Sequence, residues 1–487
     1  MARKKLVLTY VDSLRTDMLE LAVAEDRAPT FGALLERGVL VPDCVSSFPS
    51  VTPVACAEMV TGTSSERHWI SGMNWFHRLE QRYVEYGSSL EATRTVGVFR
   101  ALYDLVYNMN LAHLSPEVET LFERLDDAGL RTACTPFLIY RGRHRHQVSL
   151  DGLMRRAVET TRLKFRHHTW GPGELFYGDL YASREVPCKS TSIPGSRDGY
   201  SACCAAELER EGAYDFLLLS LPDNDNYSHR FGPEASVESI AKADHCLAKL
   251  LDAGGGLDPF LAGHAMIVLA DHAQTPVDRG LPLADILARE WTVLAPSDDR
   301  PELAQLAVSP TGRAAHVYLL PGEGERADRA EVGRRLAQTE GVDLTCWLEG
   351  RDAVVERGEA RLRFRPGSQV TDLRSASWDV DGDLSVLSLR EKGDRLDSDE
   401  YPDPVARVFA ALSAPHAGDF VVSLALGYEA VDWGGVSHAG GGSHGSLHAG
   451  DSLGPLLFVG CGPEHAGERE RWALRDVAPV VLDHFGL

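Results

Sequence analysis

The 487 residues are enough for one large domain with insertions, or for two to three domains. An apolar fraction of 44% and a charged fraction of 25% are ordinary for a soluble globular protein, and no apolar stretch reaches the roughly 20 residues needed to cross a bilayer. The formal charge of −22 excludes a general binder of nucleic acid, which most of the surface would repel, although a local positive site such as a metal pair can still hold one phosphate group.

The basic opening, Met1-Ala-Arg-Lys-Lys, is like the head of a signal peptide. The apolar run that follows, residues 6–11, is too short for a signal core and runs into Asp12 and Arg15, so a cytoplasmic protein is expected. That run ends in a carboxylate, as a buried first strand would. Residues 118–128 predict an amphipathic helix and 130–134 the next strand after Gly129. Residues 214–221 read as a buried strand, 237–251 as a helix and 265–270 as another buried strand. Strands separated by helices predict a doubly wound, mostly parallel α/β sheet.

Two segments read as additions to that core. Within 140–190, the stretch 141–168 holds Arg141, Arg143, Arg145, Arg155, Arg156, Arg162, Lys164 and Arg166 against only Asp151 and Glu159. It also carries His144, His146, His167 and His168. Two readings stay open: a solvated cap or connector, and a lid that gathers an anionic substrate. Residues 312–414 read as a small α+β subdomain, with a strand at 314–320, a helix at 329–339 and polar hairpin sequence around Asp379-Val-Asp-Gly-Asp. The core is then 1–311 together with 415–487. The nine cysteines are scattered, without a CxxC pair and without the spacing of a zinc-thiolate site or a disulfide framework.

Aspartates and histidines recur at the ends of the predicted buried strands, where sites lie in open α/β sheets. Asp12 follows the first strand, Asp225 and His229 follow Phe216-Leu-Leu-Leu-Ser-Leu-Pro, and Asp271-His272 follows Met266-Ile-Val-Leu-Ala. His444 lies in the glycine-rich stretch 434–445, just before Gly454-Pro-Leu-Leu-Phe-Val. Three carboxylates and three imidazoles suffice for two divalent metal sites, with zinc suited and manganese an alternative. Each residue alone also reads as a helix cap or turn. Thr52, where a Ser/Thr/Pro-rich loop gives way to a helix, reads either as a plain N-cap or as a hydroxyl placed to meet a phosphate.

Taken in order, these segments resemble the type I phosphodiesterase/nucleotide pyrophosphatase branch of the alkaline phosphatase superfamily. Val11-Asp12-Ser-Leu-Arg resembles its opening Asp-Gly-Leu-Arg motif, and the Thr52 segment through Val60-Thr61-Gly62 and Glu66-Arg-His68 its nucleophile helix and following turn. Asp225-Asn-Tyr-Ser-His229-Arg-Phe-Gly-Pro233, Leu269-Ala-Asp271-His272, Ser443-His444-Gly445 and Leu474-Arg-Asp-Val-Ala-Pro479 resemble four later elements. The resemblance implies an alkaline phosphatase-like core. It implies one metal on Asp225, His229 and His444, and a second on Asp12, Asp271 and His272 with Thr52 bridging as the nucleophile. It also implies a phospho-threonine intermediate. Ser228, Ala273 and Trp69 stand where the family carries glycine, and Val54 and Ala55 where eukaryotic members often carry an asparagine after the nucleophile. Asn74 is the substitute expected to bind a phosphoryl oxygen.

The implied function is hydrolysis of a phosphodiester or pyrophosphate in a small molecule, with no nucleic-acid polymer and no membrane as partner. A phosphonate hydrolase or phosphomonoesterase on the same metals is the first alternative, and a non-catalytic metal-binding protein with a decayed core the second. A sulfatase is disfavoured, because no Cys-x-Pro-x-Arg sequence offers a formylglycine. For a nucleotide substrate, Trp75, Phe76, Trp170 and Tyr177 are the rings available to stack on a base, though such rings more often pack.

Overall fold

The computed structural model describes residues 4–147, 168–178, 180–189, 197–393 and 395–487. Its centre is an eight-stranded sheet in the order Val39–Val45, Leu453–Val459, His264–Leu269, Lys5–Val11, Phe216–Leu221, Thr132–Cys134, Glu174–Tyr177 and Tyr181–Ala182. Lys5–Val11 pairs in parallel with Phe216–Leu221 on one side and His264–Leu269 on the other. The parallel run continues through Thr132–Cys134 to Glu174–Tyr177, and antiparallel strands close both edges.

The central strands are mostly apolar because both faces are covered, with Thr9 and Ser220 the buried polar exceptions. Leu6, Leu8, Leu218 and Ile267 face one layer, which contains the helices Thr52–Thr61 and Val477–Phe485. Val7, Leu217, Leu219 and Val268 face the other, which contains Asp198–Arg210 and Val237–Ala253. The expected doubly wound α/β core is therefore present, and the helix and strand expected at 118–128 and 130–134 shorten to Leu121–Asp127 and Thr132–Cys134. No helix of the described residues is long and apolar enough to cross a membrane.

A second, nine-stranded sheet runs between Leu306 and Leu424. Its strands are almost all antiparallel, with the helix Pro404–Ser413 packed on one face and Arg329–Ala337 on the other. Asp379 lies in Ser377–Gly382, which forms a hairpin with Ala360–Asp372. The hairpin Leu306–Thr311/Ala314–Leu319 turns at Gly312-Arg313 and drives this turn against the first sheet's loops. Arg313 is fully buried and ion-paired to Asp451 at 2.7 Å. Its guanidinium also donates to the carbonyls of Tyr428 and Ala425, at 3.0 and 2.9 Å. Asp451 in turn accepts from the Ser446 amide and hydroxyl, so neither buried charge lacks partners.

One sequence expectation changes here. Cys188 and Cys203 form a disulfide across a separation of 15 residues, although no disulfide was expected. The spacing carries no motif, and what brings the two together is the fold, which lays the stretch after the sheet edge beside the helix Asp198–Arg210. Part of the basic stretch is described. Arg143 is ion-paired to Glu119, Glu123 and Asp127, and Arg141 is paired to Glu123 and donates to the carbonyls of Leu114 and Ser115. These two cations fasten a segment to the Leu121–Asp127 helix and do not form a free patch. Arg155, Arg156, Arg162, Lys164, Arg166 and His167 lie outside the described residues.

Two measurements test these contacts. Thiol titration of denatured, unreduced protein is expected to count the seven free cysteines and not all nine. Gly312 has φ +65°, and an added Cβ would lie 2.2 Å from the His444 carbonyl oxygen. Gly312→Ala is therefore expected to cost about 2 kcal/mol or more in denaturant unfolding, combining left-handed strain with that clash; an unchanged midpoint would mean that the turn does not press on the His444 loop.

Candidate metal centre

The central strands end at one rim of the sheet, and their following residues converge there. Asp12 directly follows Val11. Asp225 and His229 lie one turn apart on the helix Asp223–Phe231, which follows Phe216–Leu221. Asp271 and His272 follow the strand His264–Leu269, and His444 follows the short strand Gly442–Ser443. Five of the seven residues expected to ligate metal fall into two groups close enough to hold an ion: Asp225, His272 and His444, and Asp12, Asp271 and His272. His272 thus belongs to both, whereas the expectation assigned it to one. His229 reaches the first group through Asp225, with its Nε2 3.3 Å from Asp225 Oδ1.

Thr52 is the first residue of its helix, and Val51, not Thr52, occupies the N-cap position. The Thr52 hydroxyl therefore does not cap. It stands 3.2 Å from His272 Nε2. The loop before it is clasped to the His444 loop: Ser50 Oγ donates to the Ser446 carbonyl, and the Ser50 carbonyl receives His444 Nδ1 at 2.8 Å.

The tautomers of the three imidazoles follow from their partners. A carbonyl oxygen only accepts, so a ring nitrogen facing one carries the proton. His229 Nδ1 faces the Gly442 carbonyl at 2.7 Å, His444 Nδ1 that of Ser50 at 2.8 Å, and His272 Nδ1 that of Ala273 at 3.2 Å. In every case Nε2 is left facing carboxylates: His272 to Asp271 at 3.1 Å, His444 to Asp225 at 3.6 Å. Backbone carbonyls holding Nδ1–H while Nε2 converges on carboxylates is the arrangement by which proteins orient metal-binding histidines.

The electrostatics ask for positive charge. Burial, and then the Asp271 and Asp225 carboxylates, push the Asp12 carboxyl well above the usual range, and Asp12 Oδ1 is buried without a hydrogen-bond partner. Burial also pushes Asp271 up to about 6. It pushes His272 down to about 4 and His444 to about 3. Only His229 moves the other way, to about 9, because the adjacent Asp225 carboxylate outweighs its burial. The donor set of three carboxylates and three imidazoles, with an orphaned carboxylate oxygen among them, fits divalent cations with nitrogen and oxygen preference.

Asn74 is not brought to this cluster by any hydrogen bond among the described residues. It is fully buried in the hairpin Asn74–His77/Arg82–Glu85, opposite Glu85, whose carboxyl its amide adjoins. The aromatic residues divide likewise. Trp75 and Phe76 are fully buried, Trp75 against His77, His113 and His416, whereas Trp170 is 40% exposed.

Sequence reading missed four neighbours of the cluster. Ser13 Oγ contacts Asp225 and His272, and Gln274 Nε2 donates to Asp225 Oδ1 at 2.6 Å. The Tyr10 hydroxyl donates to Asp271 at 3.2 Å. His438 stacks on His229 with centroids 4.0 Å apart, and Glu429 holds its Nδ1 at 2.8 Å. Ser13 and Gln274 stand one and two residues from Asp12 and His272, so adjacency to a motif was the available signal. For His438 it was only its place in the glycine-rich stretch.

Comparison with known proteins agrees with this architecture. The phosphonoacetate hydrolase of Sinorhizobium meliloti 1021, solved with phosphonoformate, superposes with a TM-score of 0.55 at 17% identity, covering 98% of this chain and 94% of that one. Murine ectonucleotide pyrophosphatase/phosphodiesterase 5 superposes with a TM-score of 0.57 at 14% identity, covering 99% and 95%. A 2,3-bisphosphoglycerate-independent phosphoglycerate mutase of Parasynechococcus marenigrum (strain WH8102) is 28% identical over 109 residues, which is 22% of this chain and only 19% of the mutase. The sequence profile of the type I phosphodiesterase / nucleotide pyrophosphatase family matches residues 6–446, from the first strand past His444, and the chain belongs to that family.

Proposed function

We propose that the protein is a two-metal hydrolase that cleaves a phosphodiester or pyrophosphate bond in a small molecule, with Thr52 as nucleophile. The observation that carries this reading is the common orientation of three imidazoles, each held through Nδ1 by a backbone carbonyl with Nε2 turned to carboxylates, around one threonine hydroxyl. In this reading Asp225, His229 and His444 hold one ion, and Asp12, Asp271, His272 and Thr52 the other. Zinc suits this donor set, and manganese is the alternative. Bound there, the two ions would supply positive charge to the phosphoryl oxygens and lower the pKa of the nucleophile.

The chain's own part is to present Thr52 Oγ1. Its oxygen bonds to phosphorus as the bond from phosphorus to the leaving oxygen breaks, and its proton passes by way of water to that departing oxygen, giving phospho-threonine and a released alcohol or phosphate. Water then adds to phosphorus as the Thr52 Oγ1–P bond breaks, which restores the hydroxyl and frees the phosphate. Thr52 is only 9% exposed and begins a helix, so it is aimed by the backbone and has little solvent around it. Asn74 remains a proposed ligand of a non-bridging oxygen.

One observation favours a second reading on the same centre. Trp75 and Phe76, two of the rings available to stack on a base, are fully buried in packing contacts. A substrate without a base, a phosphonate or a phosphomonoester, suits that arrangement, and the likeness to a phosphonoacetate hydrolase fits it.

Hydrolysis of bis-p-nitrophenyl phosphate and p-nitrophenyl phosphate, with zinc or manganese supplied, separates these readings. The diester is expected to be preferred, and Thr52→Ala to lower kcat by about 10³-fold or more while metal content stays at two ions per chain. Preference for the monoester would move the protein to the phosphatase side, and no turnover of either by metal-loaded protein would point to a phosphonate. If wild type and Thr52→Ala behaved alike, the decayed-core alternative would stand. Metal removal by chelation is expected to lower stability by about 2 kcal/mol or more, read as a fall in Tm that re-added ion reverses; a Tm indifferent to chelator would contradict a metal centre at this rim.

A further inference from the structure

Ser13 occupies an unusual place. It is a buried non-glycine residue with φ 58°, a left-handed conformation that a serine adopts only at a cost. Such strain persists where the surrounding contacts demand it. Here Ser13 Oγ donates to Asp225 Oδ1 at 2.8 Å, and accepts from His272 Nδ1 at 3.1 Å and from Gln274 Nε2 at 3.2 Å. A hydroxyl has one proton and two lone pairs, so every bonding position of this one is used. The direction of each bond is set by its neighbours. His272 Nδ1 carries its proton because it also faces the Ala273 carbonyl, and Asp225 can only accept.

Gln274 completes the arrangement. Its amide nitrogen donates to Asp225 Oδ1 at 2.6 Å and approaches the Asp225 carbonyl at 3.3 Å. The flipped amide would set its oxygen against that carboxylate, so the orientation is determined by charge. The backbone amide of Ser13 meanwhile donates to Asp271 Oδ1 at 3.2 Å. One residue thus touches a carboxylate from each of the two groups and the imidazole that they share.

We propose that Ser13 and Gln274 form a positioning relay that locks Asp225 and the His272 tautomer in register for two divalent cations, and so sets the affinity of the centre for them. The proposal rests on the two-metal reading above. Neither residue touches a substrate in it. Ser13 acts through His272, sharing the Nδ1 proton with the Ala273 carbonyl and so holding the ring whose Nε2 faces Asp271 Oδ2 at 3.1 Å and Thr52 Oγ1 at 3.2 Å. Gln274 acts through Asp225, whose Oδ1 takes two neutral donors and is held from rotating.

The test compares wild type, Ser13→Gly, Gln274→Met and the double variant. Zinc and manganese affinity is measured by competition with a chromogenic chelator, stoichiometry by elemental analysis, and the Tm of the metal-free proteins by calorimetry. Ser13→Gly suits the left-handed backbone, so its metal-free Tm is expected to stay within a few degrees of wild type. Each single variant is expected to bind metal about 10-fold more weakly or worse. The double variant is expected to lose less than the product of the two, because both act on the same carboxylate oxygen. Affinities equal to wild type, or losses that only follow a lowered metal-free Tm, would overturn the relay. Wild-type protein that takes up no metal would overturn the two-metal reading itself, and the relay with it.

Discussion

Three carboxylates converge where the central strands end, and the fold must hold them together against their own repulsion. Two like charges about 4 Å apart repel by about 4 kcal/mol at an effective dielectric of about 20. Asp12 and Asp271 show the consequence: burial and neighbouring carboxylates push both toward protonation. Asp225 escapes because His229, one helical turn away, answers its charge and holds its carboxyl well below the usual range. A site that needs either protons or cations to be stable, and that has three imidazole nitrogens turned inward, is constructed for cations.

That demand explains much of the surrounding backbone. Each imidazole is anchored by a backbone carbonyl, that of Gly442 in a short strand or of Ser50 or Ala273 in loops. These loops are fixed in turn by the second sheet. The backbone amide of Arg313 donates to the His444 carbonyl, and its side chain makes the buried ion pair with Asp451. Arg407, on the helix Pro404–Ser413, reaches the carbonyl of Ser47 and the hydroxyl of Ser452, and burial pushes its guanidinium down to about 10. A buried cation of this kind stabilises little by itself, but moving its partners leaves a charge unpaired, which gives the Thr52 and His444 loops one permitted arrangement. The second sheet therefore acts on the centre from behind.

The glycine-rich stretch before His444 has a related cause. An added Cβ on Gly441 would lie 2.0 Å from the His229 carbonyl oxygen, so this backbone passes against the Asp223–Phe231 helix with no room for a side chain. Close backbone approach brings His444 beside the helix that carries Asp225 and His229. It also brings His438 onto the face of His229, where Glu429 restrains it.

What the sequence determined by itself is the α/β core and most of the carboxylates and imidazoles gathered at its rim. Short, mostly apolar runs such as Phe216–Leu221, separated by helical pattern, read as strands covered on both faces, and parallel strands so covered place the residues after them at one rim. Asp12, Asp271 and His272 are legible for that reason, and Asp225 with His229 through their spacing of one helical turn. Tertiary structure alone decided the rest. Ser13 and Gln274 are silent in sequence, because a hydroxyl and an amide acquire their role only from carboxylates more than 200 residues away along the chain for Ser13, and 49 for Gln274. The Cys188–Cys203 pairing and the fastening of Arg141 and Arg143 to the Leu121–Asp127 helix likewise depend on which segments the sheet lays side by side. Local pattern reports a residue's secondary structure and its face; which distant partner it meets is a property of packing, where each contact is set by the whole core at once.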